Sequence, residues 1–193
     1  MSNGTTVKKR NGRGVEPLNL EKIHVMCEEA CQGLAGVSAS QVEIQSGIQF
    51  YDGITTAEIQ EILIRSASDL IDLDHPNYQF VAARLLLFAL RKQIFGRMRE
   101  MPTVIDHVKK CVGKGVYDAE ILDLYTEEEY NKLQSFIDHS RDFLFTYAGL
   151  RQVCDKYLVQ DRSSGEVFET PQFMYLMIAA TIFSKYPKET RLN

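Results

Sequence analysis

The stretch "FVAARLLLFAL", residues 80–90, is apolar all the way round a helix except at Arg84. A helix without a polar face has to be enclosed by its neighbours. The run falls well short of the roughly 20 residues that cross a bilayer, so it reads as a buried core helix and no membrane partner is expected.

Start and stop signals around this core element set out the rest of the first half. Asn19 stands at an N-cap position before "LEKIHVMCEEACQ", with Leu20, Ile23, Met26, Cys27, Ala30 and Cys31 on the apolar side and Gly33 as a stop, giving a helix over about 20–32. "SASQ" at 38–41 resembles a capping box for a second helix reaching about Phe50. "TTAE" at 55–58 resembles another, after the Asp52-Gly53 turn, for a third helix running to about residue 72. The break at His75-Pro76 permits the fourth, 76–96. Ahead of them, residues 5–10 and 13–18 alternate as two strands about Asn11-Gly12, a dipeptide suited to a type I′ turn.

"GRMREMPT", with Gly96 and Pro102, interrupts the apolar pattern and puts a domain boundary near 98. The second half reads as helices over 103–113, 127–138 (opened by "TEEE", a capping box) and 141–153. A small hairpin in "KYLVQDRSSGEVFE" and a helix from Pro171 to about Lys185 follow, and the polar "YPKETRLN" offers no closing element. The fold class is mainly α: a β-hairpin plus four-helix bundle over 1–97, then a helical segment with a small β-hairpin over 98–193.

With 193 residues and 45% hydrophobic composition, two small domains with their own cores are affordable. The net charge of −4 and pI near 5.6 exclude a bulk affinity for nucleic acid, so any basic function must be local. Cys27, Cys31, Cys111 and Cys154 include no CxxC pair, and no signal peptide precedes them, which fits a reducing cytoplasm. Cys27 and Cys31 are spaced to share one helix face and could ligate a metal, but no His or carboxylate completes a set; the other reading is two small core residues. The four histidines fall in no HExxH or triad pattern, and neither a Walker A loop nor GxGxxG occurs. No catalytic residue and no metal ligand is assigned.

The chemistry-bearing stretch is "VKKRNGRGVEPLNLEKI", residues 7–23, where a basic hairpin runs straight into a helix N-terminus. Lys8, Lys9, Arg10 and Arg13 crowd the hairpin, Lys22 follows on the helix, and Arg91 and Lys92 end the fourth helix. Two or three such cations with helical N–H groups could hold a triphosphate; charge alone equally describes a solvated basic edge.

This stretch, with "DGITTAEIQ" and "YQFVAARLLLFALRK", resembles the ATP-cone, the allosteric nucleotide-binding domain of ribonucleotide reductases. The segments "GKGVYDAEILDLYTEEEYNKLQSFIDHSRDFLFTYAGLRQVCDKYLVQ" and "GEVFETPQFMYLMIAATIFSKYPKETRL" are similar to the helical region that follows the cone in class I large (alpha) subunits. The resemblance implies that ATP and dATP, with Mg2+, bind here as effectors. Lys9, Arg10, Lys92 and Thr56 would take the triphosphate, Glu16 and Asn19 the adenine, and Leu20, Glu21, Lys22, Ile23 and Phe88 would line the pocket. Histidines tied to dATP inhibition in the family are replaced by Gln60 and Ala89, so the resemblance carries nucleotide binding to this chain but not dATP shut-off.

The same resemblance implies a regulatory part in ribonucleoside-diphosphate reduction, and so in deoxyribonucleotide synthesis. The expected partners are a barrel-bearing remainder of the large subunit, as a continuation or a companion chain, the small radical-generating subunit, and further copies in a homo-oligomer. Two rivals are a repressor pairing an ATP-cone with a zinc ribbon, disfavoured by the lack of CxxC pairs, and a helical adaptor that binds no nucleotide.

Overall fold

The structure is a computed structural model that describes residues 5–9, 14–47 and 49–192. Arg10, Asn11, Gly12 and Arg13, and with them the expected type I′ turn, lie outside the described residues. The chain divides into two units. The first takes the described residues through Ala89 together with Phe143–Arg151; the second takes Leu90–Asp142 and the residues from Gln152 onward.

In the first unit, β1 (Thr6–Lys8) pairs antiparallel with β2 (Val15–Pro17), with Val7 opposite Glu16. A strand absent from the sequence reading, β3 (Ile54–Thr55), pairs parallel with the other edge of β1. Two residues are too few for an alternating pattern to register. What sets β3 is the Asp52-Gly53 turn: Asp52 Oδ1 accepts from Thr6 N (2.8 Å) and Thr6 Oγ1 (2.7 Å). Gly53 N donates to Thr6 O (2.9 Å), from a positive φ of 80° that glycine adopts without strain.

Helix α1 (Leu20–Cys31) buries Ile23, Met26, Cys27 and Ala30, and α2 (Ala39–Gly47) packs against it. α2 stops short of Phe50, the end expected from the sequence. α3 (Thr56–Asp69) opens on a full capping box: Thr55 Oγ1 accepts from Glu58 N (3.1 Å), and Glu58 Oε2 accepts from Thr55 N (2.8 Å). α4 (Tyr78–Phe95) carries the apolar run, with Val81, Ala82, Leu85 and Phe88 buried. Its one interruption has a purpose: Arg84 donates to the carbonyls of Ala30 (3.1 Å) and Gln32 (2.7 Å), which α1 leaves unsatisfied at its C-terminus.

The second unit holds α5 (Val104–Gly113), the short α6 (Ile121–Leu124), α7 (Glu127–Phe136) and α9 (Pro171–Phe183), whose core includes Val104, Tyr125, Leu133 and Phe173. Strands β4 (Gln160–Asp161) and β5 (Glu166–Val167) form the expected hairpin. The helix expected over 141–153 is instead a 3-10 turn, His139–Leu144, followed by α8 (Tyr147–Lys156). Asp142 is drawn into the interior beside Arg91, and Thr146 Oγ1 accepts from Gly149 N (3.2 Å), which starts α8 afresh. The polar tail also differs from expectation: Arg191 closes on Glu129 with Nε–Oε1 at 2.8 Å, and Leu192 joins the core. Among the described residues no helix is long and apolar enough to cross a membrane.

Candidate nucleotide-binding site

The β1–β2 ladder and the start of α1 bring several of the named residues to one corner of the first unit. Leu18 N donates to Thr5 O (2.8 Å) and Lys9 N to Gly14 O (3.1 Å), so the ladder is held beyond its strand pairs. The chain passes from β2 into Asn19, whose side-chain oxygen accepts from Lys22 N (3.0 Å). That bond uses one of the free N–H groups of the first turn and leaves the end of α1 partially positive.

An open hollow of ≈ 550 Å³ lies here, lined by Glu16, Pro17, Leu18, Asn19, Leu20 and Lys22. Glu16 is its negative group. Its carboxylate meets Lys9 Nζ at 2.9 Å and Lys22 Nζ at 3.9 Å. The hydrogen bond from Lys9 is the main reason that the Glu16 carboxyl lies below its ordinary range.

A second polar cluster gathers where β3 enters α3. Asp52 is held below the usual carboxylate range chiefly by the Thr6 hydroxyl, and Glu58 by the Thr55 hydroxyl, with Tyr51 OH also donating to Glu58 (2.8 Å). Lys8 stands close by: a Cβ on Gly53 would meet its Cε at 3.6 Å. Thr55, and not Thr56, supplies the capping hydroxyl; Thr56 is the first residue of α3 and half-buried.

Of the residues the sequence singles out, Glu16, Asn19, Leu20 and Lys22 share the hollow and Lys9 is tied to it through Glu16. Glu21 is exposed in the first turn of α1, while Ile23 and Phe88 are buried in the first unit, Phe88 with its ring edge-on to Phe143 at 6.0 Å. Lys92 is exposed in the last turn of α4, in the part of that helix belonging to the second unit, and Arg10 lies outside the described residues. Gln60 is buried on α3 and Ala89 half-buried on α4. Sequence reasoning missed Pro17 and Leu18 as lining; the fixed φ of a proline between β2 and a cap was the available signal.

The cysteines offer no second site. Burial pushes the Cys27 thiol up to about 12 and the Cys31 thiol to about 11, the behaviour of small core residues. Among the described residues no group of three or more His, Cys, Asp or Glu converges to hold a metal ion.

Residues 5–93 match the ATP cone domain, and residues 143–192 match the ribonucleotide reductase all-alpha domain. Over all 193 residues the chain is 50% identical to the ribonucleoside-diphosphate reductase 1 subunit alpha of Escherichia coli (strain K12), covering 25% of that protein. It is 44% identical over 154 residues, 79% of this chain and 20% of the relative, to the ribonucleoside-diphosphate reductase subunit alpha of Enterobacteria phage T4. The chain belongs to the ribonucleotide reductase alpha-subunit family. It spans about a quarter of the length of these curated relatives. Within the alpha-subunit family, the region covered here is the ATP-cone and the all-alpha region. The all-alpha match in the second half removes the zinc-ribbon repressor as a rival.

Proposed function

We propose that the corner formed by β1, β2 and the start of α1 binds ATP or dATP as an allosteric effector. Through it, this region regulates the reduction of ribonucleoside diphosphates by the alpha subunit to which it belongs. The observation that carries the reading is the hollow beside a capped helix N-terminus, with two ammonium groups converging on one carboxylate. Ammonium groups and helical N–H groups suit polyphosphate oxygens, and a carboxylate and an amide suit the adenine amine and ring nitrogens. Arg10, Thr56, Phe88 and Lys92 join the set on the family resemblance. A Mg2+ ion would arrive with the phosphates, since the nearby carboxylates are already engaged by Lys9, Thr6 and Thr55.

The effector domain is proposed to occupy 1–97 and the helical domain 98–193. The partners are the remainder of the alpha subunit, which supplies the catalytic barrel, the small radical-generating subunit, and further alpha subunits. The setting is a reducing cytoplasm, with the four cysteines as free thiols.

Calorimetric titration with ATP and dATP tests the reading. Lys9→Ala and Lys92→Ala are each expected to weaken binding about ten- to a hundredfold, the size of one charge-assisted contact of about 1.5–3 kcal/mol. Affinity that stays unchanged in both variants refutes the site, and a parent protein that binds neither nucleotide leaves a helical adaptor.

A further inference from the structure

Glu16 occupies an odd position for a residue that reads a base. Its carboxylate sits against Lys9 Nζ at 2.9 Å and Lys22 Nζ at 3.9 Å, where a phosphate oxygen would be placed. The residue is fixed from both sides of its backbone, by the ladder opposite Val7 and by the turn through Pro17 and Leu18 into the Asn19 cap. The three side chains stay open to water, at 46% exposure for Lys9, 36% for Glu16 and 71% for Lys22. Exposed pairs of this kind are weak and exchange readily for a better partner.

Building on the nucleotide reading above, we infer that Glu16 is an internal counter-anion. Its carboxylate occupies the ammonium groups of the corner, and an incoming polyphosphate has to displace it. Once displaced, the carboxylate remains beside the ligand as a negative group without a cation. A ligand that brings its own donor, such as the exocyclic amine of adenine, relieves that charge. Bare tripolyphosphate brings none, and hypoxanthine presents a carbonyl oxygen in place of the amine. Selectivity for adenine then comes from repelling other anions as well as from attracting the right one. Phosphate affinity is held down in exchange.

The test is calorimetric titration of the parent protein and of Glu16→Gln with ATP, inosine triphosphate and sodium tripolyphosphate, at one ionic strength near neutral pH. In Glu16→Gln, tripolyphosphate and inosine triphosphate should bind roughly two- to fivefold more tightly, the size expected for loss of one exposed ion pair. ATP should stay level or weaken, so its preference over tripolyphosphate narrows by at least that factor. Glu16→Ala should show the same gain for tripolyphosphate, which separates the charge from the shape of the side chain. Tripolyphosphate binding that is unchanged or weaker in Glu16→Gln, or ATP tightening as much as tripolyphosphate, overturns the inference while the site itself stands. Failure of ATP to bind the parent protein removes the nucleotide reading and the inference together.

Discussion

The two units place their polar groups in opposite settings. In the first, Lys9, Glu16 and Lys22 meet at the surface around an open hollow. In the second, most of the polar groups named here are enclosed: the His107 ring lies stacked on Phe173 at 4.0 Å, and half-buried Tyr117, at the edge of a hollow of ≈ 560 Å³, donates to buried Glu169, whose other oxygen accepts from Val159 N at 2.8 Å. Arg91 donates to the His139 carbonyl at 2.7 Å and pairs with Asp142 at 3.4 Å. Surface groups can trade partners at little cost, whereas enclosed groups have no water to fall back on. The contrast suits the first set to exchanging partners and the second to architecture.

The most severe way to probe that division is Phe173→Ala. Phe173 is fully buried against His107, His139 and Phe95, so truncation should cost about 3–5 kcal/mol. Urea unfolding would measure it. A loss under 1 kcal/mol would mean that the enclosed cluster is not the architectural centre it appears from its packing.

Acid should act next. Burial keeps His107 and His139 neutral in the folded chain, each lowered to about 4. The unfolded chain takes up those protons from about pH 6.5 downward, so stability falls as pH drops from 6.5 towards 4. Asp142 opposes this: burial raises it to about 6 despite Arg91, so the folded state gains a proton there in the same window. Glu169, also raised by burial, acts in the same direction as Asp142, but the hydrogen bond from Tyr117 limits its shift and the two histidines leave a net loss. The urea midpoint at pH 4.5 should lie below that at pH 7, and a flat profile would contradict the enclosure of the rings.

Smaller effects belong to the first unit. Thr55→Ala removes the hydroxyl that caps α3 and should cost about 1 kcal/mol. Lys9→Ala should leave unfolding within about 0.5 kcal/mol of the parent while weakening nucleotide binding, since its partner is exposed. A clear loss of stability in Lys9→Ala would blur the line between exchange and architecture.

Helix starts were the most legible feature of the sequence. Asn19, Thr55 and Thr126 each cap the helix that follows, because a cap is a local interaction that a few residues determine. What escaped the sequence depends on distant partners. β3 exists because Thr6 meets Asp52, and the helix expected over 141–153 breaks because Asp142 turns inward to Arg91. The tail closes because Arg191 finds Glu129. At the candidate site, sequence named Glu16, Asn19, Leu20 and Lys22, which share the hollow, but charge pattern alone said nothing of the Lys9–Glu16 bond, which needs strands brought side by side.

Helix α1 is fastened at both extremities by side chains it does not own, Asn19 in front and Arg84 behind. A rod clamped in this way has no loose end in which a push could be dissipated by unravelling. Its front at the hollow and its rear at the apolar spine that carries Arg84 are thereby joined through one unbroken element.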